Sequence, residues 1–501
     1  MSGWTEAAVT AALALETVAG AELRTYSSIS TDTRTLVPGS LFVALRGENH
    51  DAHDFLHAAV EAGASGAVVE RVPDDAPISL RYHVVGDTLE ALGRLARFHR
   101  RRTGIRVCAV AGSNGKTTTK ELLRAVLSVR YSVYATPGNL NNLVGVPLTL
   151  LGCPANADVL VVELGTNVPG EVAKLAAIAE PDAAVVTTVS AEHLEGLGDL
   201  DGVVREELSV LPWVPSHGAA VVSDEPGILA QHARRLNEAV RVAGFSDRAD
   251  PEFHGSALSV DEDGRVRFRW ATRDVALRLR GRHNGRNAAI ALALGKLWGI
   301  EADAAADALS TLEPQKMRSE VHHYGDLTVI ADCYNANPGS VEAAIDLLTS
   351  MPARGGRVAI LGSMLELGPA SRDIHGETAQ MVGDAAVEVI VATGEFADAF
   401  QPLANELGDR LIAEADPLRA FDVLAGRLEG NELILLKGSR GVRMERLLPR
   451  FEEGWGMLHP HGETFGSRAS KRLTDAGSKA PEEYVPPTSN EMDRNDANGA
   501  G

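Results

Sequence analysis

The chain has 501 residues, 45% of them hydrophobic and 23% charged. That is too apolar for general disorder, and the length suggests about three domains. Lys and Arg number 48 against 68 Asp and Glu, a net charge of −20, which argues against nucleic acid or an anionic membrane as partner because both require a basic surface. A small anionic ligand stays open, since one local cationic pocket is enough to hold a phosphate. The three cysteines, Cys108, Cys153 and Cys333, are far apart with no CxxC, which argues against a disulfide framework or a zinc site and suits a reducing compartment.

Residues 1–103 read as a first, small α/β block. Its Ala-rich start lacks a basic leader and carries Glu6 and Glu16, so an ordinary helix is expected rather than a secretory signal. No run of about 18 apolar residues exists, and a cytoplasmic chain without membrane insertion is expected. Pro38-Gly39 punctuates before a strand at Leu41–Leu45. A helix from residue 55 ends at Gly63 and Gly66, the strand Ala67–Val69 follows, and a helix at Leu89–Arg102 meets Gly104.

Residues 104–313 form a second block. The strand Ile105–Ala111 leads into Gly112-Ser113-Asn114-Gly115-Lys116-Thr117-Thr118 and then a helix with Leu122, Leu123, Val126 and Leu127 on one face. Buried strands at Val159–Val162 and Ala183–Val189 alternate with helices, which predicts a parallel sheet covered on both faces. An antiparallel stretch over 264–279 interrupts it, and a helix from Asn287 to about Trp298 closes the block. Residues 314–451 alternate again: strand Leu327–Asp332, helix 340–350, strand Val358–Leu361, helix 371–384, strand Val387–Ala392, a helix to about 428, and strand Leu433–Leu436. This predicts an open doubly wound, Rossmann-like sheet with Asp332, Gly362-Ser363 and Lys437-Gly438 past its strand ends, where such sheets hold ligands. From 452 to 501 the chain is rich in Gly, Ser, Pro and Asn and is expected to be a disordered tail.

The chemistry concentrates after Ala111. Successive backbone N–H groups at a helix N-terminus make an anion nest favoured by the helix dipole. Lys116 adds a mobile positive charge for the β- and γ-phosphates, and the Thr117 hydroxyl can ligate Mg²⁺. The pattern is a shortened GxxGK[ST], with Val110 where the general phosphate loop has its first glycine. Glu163, ending the strand beside this loop, is placed to hold Mg²⁺ directly or through water; taken alone, a solvated strand-end acid accounts for it equally well. His193 lies at another strand exit, and most lone histidines are not ligands. Both gain weight from sharing a sheet edge with Lys116.

These strings, together with GNLNNLVGVPLTLL (138–151), VVELGTNVPGEV (161–172), EHLEGLG (192–198), GRHNGRNAAIALAL (281–294), DCYNANPGSVEAAI (332–345), LGSMLELG (361–368) and KGSRGVRME (437–445), resemble the Mur ligase family over residues ~5–450. Asn335-Ala-Asn-Pro338 and the Met-Leu-Glu-Leu-Gly string point to the branch that adds D-alanyl-D-alanine. The resemblance implies a central ATPase domain, a C-terminal Rossmann-like domain, a UDP-sugar-binding first domain, and an ATP-dependent amide ligase of peptidoglycan precursor synthesis. It implies that Gly112 to Thr118 hold the ATP phosphates, with Lys116 central. Thr117 and Glu163 would ligate one Mg²⁺ and His193 would serve a second. Asn284 and Asn287 would lie on the adenine side, Arg318 and Asp332 would reach the phosphates and ribose, Thr33 and Arg34 would meet the uridine diphosphate, and Asn335 and Asn337 the incoming dipeptide. UDP-MurNAc-tripeptide and D-alanyl-D-alanine would be the partners, and a monomer is the expected state.

One departure stands out. The family usually carries a carbamoylated lysine fourteen residues after the histidine, and here that position is Glu207. A glutamate already offers an anionic oxygen, so Glu207 would supply the carboxylate without CO₂; the alternative is an acid on the helix surface. The expected chemistry is transfer of the γ-phosphoryl group to the tripeptide's carboxylate, followed by amine attack on the acyl phosphate, with closure of the third domain about a hinge near Pro314 to exclude water. Competing readings are another Mur-type or folylpolyglutamate-type ligase, and an ATP-binding regulatory protein with a decayed site.

Overall fold

The computed structural model describes residues 3–16, 24–47 and 50–456. Three sheets, the first two parallel and the third parallel but for one strand, follow one another along the chain. The first runs β1 (Ile29–Ser30), β2 (Leu41–Val43), β3 (Gly66–Val69) and β4 (Arg81–Val84) in that spatial order. Helix α1 (Thr88–Thr103) follows; Asp87 caps it by accepting the Glu90 N–H at 2.8 Å, and Gly104 ends it in the left-handed region. Its last turn carries Arg100 and Arg101, which pair with Asp182 and Glu180 and so fasten the first sheet's layer to the next.

The central sheet is built from β5 (Arg106–Ala111), β6 (Val133–Ala135), β7 (Val159–Glu163), β8 (Ala183–Val186), β9 (Ala219–Ser223) and β10 (Arg241–Ala243), in the order β10-β9-β8-β5-β7-β6, all parallel. Val107 to Ala111 are wholly buried, as a strand covered on both faces requires. The chain leaves β5 in one direction for β6 and β7, then returns past it for β8. The crevice at the carboxyl ends of β5 and β8 is therefore the switch point where a doubly wound sheet holds its ligand. Helix α2 (Lys116–Leu127) buries Leu122, Leu123, Val126 and Leu127, while α3 (Leu200–Leu208) covers the opposite face. An antiparallel meander, β11 (Gly255–Val260), β12 (Arg265–Trp270) and β13 (Arg273–Arg280), precedes α4 (Arg282–Leu297). That helix starts five residues before the expected Asn287: Gly281 opens it, and Asn284 is already inside the first turn, donating to the Arg280 carbonyl at 2.7 Å.

The third sheet contains β14 (Glu320–Tyr324), β15 (Leu327–Asp332), β16 (Arg357–Leu361), β17 (Val389–Ala392), β18 (Leu411–Ala413) and β19 (Leu433–Lys437), ordered β14-β15-β19-β16-β17-β18 with only β14 antiparallel. Helix α5 (Pro338–Ser350) follows β15. The single helix expected to reach about 428 is broken, because the edge strand β18 and a separate helix, Pro417–Ala425, capped by Asp416, intervene. Helix α6 (Leu448–Trp455) carries order four residues into the segment expected to lack it. Phe451 is fully buried against Phe421, ring centroids 4.8 Å apart, and this anchors the helix. The rest of the expected tail, from 457, lies outside the described residues. All three cysteines are buried and free. Among the described residues no helix is long and apolar enough to cross a membrane.

Candidate active site

The turn after β5 is shaped by what stands behind it. Gly112, at φ +119°, would drive a Cβ to 2.2 Å from Thr187 Oγ1, and Gly115, at φ +82°, would drive one to 2.6 Å from Asn287 Oδ1. Only glycine fits either place. Thr187 donates its hydroxyl to the Asn114 carbonyl at 2.6 Å, and the Ser113 N–H donates to the Thr188 carbonyl at 2.7 Å, so the loop is strapped to the end of β8. Helix α2 begins on Gly115 with no side chain capping it. Its first amides therefore remain available to an anion.

Lys116 is nearly enclosed. Its Nζ donates back to the Gly112 and Ser113 carbonyls and lies 4.0 Å from Glu192 Oε1. Burial pulls its ammonium down, but the carboxylates of Glu192, Glu207 and Glu163 outweigh that and hold it above the ordinary lysine range. Glu163 ends β7 with Oε1 accepting from Asn141 Nδ2 at 2.9 Å. Glu207 is not a surface acid: it is fully buried on the inner face of α3 and accepts the Gly112 N–H at 2.6 Å. Burial pushes its carboxyl up to about 7, against the pull of Lys116.

Glu163 Oε2, Glu192 Oε1 and Glu207 Oε1 are all buried without a hydrogen-bond partner. Orphaned carboxylate oxygens around a phosphate loop suit a hard divalent cation. Among the described residues no three His, Cys, Asp or Glu side chains form a ready cage. Mg²⁺ usually takes one or two carboxylates and completes its shell with water and substrate phosphate.

The third sheet closes the site from above. Arg318 donates to Thr117 Oγ1 at 3.0 Å, with its guanidinium 4.1 Å over the Tyr334 ring. Asp332, at the end of β15, accepts the Ser319 N–H at 3.1 Å and pairs with Lys437 at 3.0 Å. His193, at φ +50°, has Nδ1 2.6 Å from Glu366 Oε2, and Glu366 is itself at φ +65°. Arg282 on α4 pairs with Asp346 on α5 at 2.8 Å. Between these walls lies a cavity of about 860 Å³ that gathers Asn114, Gly115, Thr118, Asn284, Asn287, Arg318, Asp332 and Asn335. Thr33 and Arg34 stand apart, after β1, where Asp32 grips the Arg34 guanidinium at 2.7 Å.

Sequence reading passes over several lining residues. His283, its ring pushed towards the neutral form by burial, faces the cavity with Glu225, Arg248 and Tyr334. Glu192 and Ser190 are missed as well. His283 and Glu192 directly precede Asn284 and His193, which was the available signal.

The Mur ligase middle domain model matches residues 110–295, and the model for the Mur ligase glutamate ligase domain matches 317–440. The chain is 33% identical to the UDP-N-acetylmuramoyl-tripeptide–D-alanyl-D-alanine ligase of Bacillus subtilis, over 84% of this chain and 92% of that one. Among solved structures it is similar to MurF from Acinetobacter baumannii (TM-score 0.81, 29% identity, 90% and 99% of the two chains). It is also similar to the MurF ligase of Thermotoga maritima in complex with ADP (TM-score 0.75, 26% identity, 85% and 97%). With a curated relative this similar along almost its whole length, the chain belongs to the Mur ligase family.

Proposed function

We propose that the chain joins D-alanyl-D-alanine to UDP-MurNAc-tripeptide at the expense of ATP, forming ADP and phosphate. The observation that carries the reading is the uncapped start of α2, with Lys116 under it and Arg318 brought over it from the third sheet. A carboxylate is a poor electrophile, so the γ-phosphoryl group is transferred to it first, giving an acyl phosphate. Two anions must meet for this to happen. Lys116, Arg318 and the free amides at the start of α2 supply the opposing charge in an enclosed site, where it counts for more than in water. The dipeptide's amine then attacks the acyl carbon, and phosphate leaves from the tetrahedral adduct.

Glu163 and the Thr117 hydroxyl would hold Mg²⁺, which would supply positive charge against the phosphates. His193 and Glu207 would serve a second ion. Glu207 offers its buried carboxylate where the family pattern has a carbamate, so we assign activity that needs no CO₂. Asn284 and Asn287 buttress the loop on the adenine side, and Asp332 takes the ribose. Asn335 is the exposed group suited to the dipeptide, and Thr33 and Arg34 are assigned to the uridine diphosphate, in a first domain of residues 1–103. Residues 104–313 would form the ATP-binding domain and 314–451 the third. The chain would act as a cytoplasmic monomer.

Mass spectrometry of the product from ATP, Mg²⁺, UDP-MurNAc-tripeptide and D-alanyl-D-alanine tests the reading. The expected product is the pentapeptide nucleotide, with ADP released only when the dipeptide is present. Product from a single amino acid or from a folate instead would assign the chain to another branch.

A further inference from the structure

Asn337 makes more bonds than a helix cap needs. As N-cap of α5, its Oδ1 accepts the Ser340 N–H at 2.9 Å and its own N–H donates to Ser340 Oγ at 3.0 Å. Its Nδ2 turns away from the third sheet altogether. It donates to Asn114 Oδ1 at 2.9 Å and to Glu192 Oε2 at 3.0 Å, and Asn114 Nδ2 returns a bond to Asn337 Oδ1 at 3.0 Å. The side chain is 2% exposed and both amide atoms are engaged, so Asn337, expected at the dipeptide site, has nothing left for a dipeptide.

Its two partners belong to the reacting end of the central sheet. Asn114 stands two residues before Lys116 in the phosphate loop. Glu192 stands directly before His193, and its other oxygen, buried and unpartnered, is the one 4.0 Å from Lys116 Nζ. The joint has little slack: a Cβ on Gly339, in the first turn of α5, would meet Ser190 Cβ at 3.0 Å. A bonded amide in such a buried place fixes register between the two bodies it links, because separating them strands polar groups on both sides.

We propose that Asn337 is a positioning residue for phosphoryl transfer. Its amide transmits the seating of the third sheet to the phosphate loop through Asn114 and to Lys116 through Glu192, so the lysine is held for reaction only while the third sheet is docked. The proposal rests on the ligase reading above and adds to it the group that couples docking to the lysine.

Asp and Ser cap helices about as well as Asn, so Asn337→Asp and Asn337→Ser keep α5 capped while removing the amide donor. Asn337→Asp also sets a carboxylate against Glu192. In the double variant Asn337→Asp/Glu192→Gln, donor and acceptor exchange places and the charge of the cluster is restored. Both single variants at 337 should lose about tenfold or more in kcat, with ADP affinity by calorimetry changed much less, and the double variant should recover most of the loss of Asn337→Asp. Hydrogen exchange at 112–118 should quicken in both single variants and slow again in the double. Wild-type kcat in Asn337→Ser, or losses that multiply in the double variant with exchange unchanged, would overturn the proposal. Absence of ligation by the wild-type chain would instead sink the functional reading, and the exchange measurement would still decide the joint.

Discussion

Two turns in this molecule have the same topology and opposite uses. Each leaves the carboxyl end of a parallel strand and enters a helix: β5 into α2, and β15 into α5. At α2 the N-cap is Gly115, in the left-handed region, with no side chain bonded to the helix start. At α5 the cap is Asn337, in extended backbone at φ −146°, with Pro338 at the first helical position and Ser340 completing a reciprocal capping box. The first helix keeps its amides unspent and can receive a phosphate. The second is bonded within its own turn by the capping box, and the amide group of its cap is what also reaches protein neighbours, Asn114 and Glu192. What bonds the start of the helix, rather than the strand–helix unit itself, decides whether the turn binds a ligand or a domain.

The largest expected effect comes from removing the cation that the open turn supports. Lys116→Met keeps the aliphatic stem and deletes the charge; kcat/KM, read as ADP release, should fall by about 10²–10³ or more. Glycine is the second requirement of the open turn. Gly115→Ala places a methyl at φ +82° and 2.6 Å from Asn287 Oδ1, displacing the side chain that holds Asn284 at 3.1 Å. ADP affinity should weaken by about tenfold in calorimetry, since the loss of one well-placed contact is worth ~1.4 kcal/mol. The corresponding position of the closed turn already bears a side chain in extended backbone and has no such sensitivity.

The acid behind the open turn gives a pH signature. The folded Glu207 carboxyl titrates at about 7, whereas the unfolded chain releases that proton near 4.5. Between those values the native protein binds more protons than the unfolded one, so this group's contribution makes stability fall as pH rises through the window. Glu207→Gln keeps an acceptor for the Gly112 N–H and removes the titration. The variant's melting temperature should gain more on wild type at pH 8 than at pH 5, by a few degrees. A constant offset across that range would show the carboxyl to be ionised throughout.

The open turn could be read from the sequence because its chemistry is local. Two glycines, a lysine and a threonine within six residues, between an apolar strand and an amphipathic helix, leave few other structures available. Glu207 was half legible. Its place fourteen residues after His193 was countable, and its position on the apolar face with Val203, Val204 and Leu208 could have shown it to be buried rather than on the surface. The joint at Asn337 could not be read. Its partners lie 223 and 145 residues away, and nothing in Asn-Ala-Asn-Pro tells which amide stays in its own helix. Among the strands, β1, β4, β6, β9, β10, β11, β14 and β18 went unread; β6, β10 and β18 are three residues each on a sheet edge and carry almost no periodic signal, whereas β9 is a buried apolar run, Ala219–Ser223, that was there to be read.

The smallest effect sharpens the contrast most, because it can be measured at matched positions. Thr118 and Ser340 are the third helical residues of α2 and α5, and both line the cavity. The Ser340 hydroxyl is used twice within its own turn, accepting the Asn337 N–H and donating to the Asn337 carbonyl, each at 3.0 Å. Ser340→Ala therefore removes half of a capping box and should cost ~0.5–1 kcal/mol in denaturant unfolding, with ADP affinity unchanged. Thr118 sits where no cap exists to lose. Thr118→Ala should leave stability within ~0.5 kcal/mol and weaken ADP binding by severalfold, through the loss of one hydroxyl donor at the anion nest. If the two variants exchanged these behaviours, the distinction between an unspent and a satisfied helix start would be void, and the phosphate would have to be sought at α5.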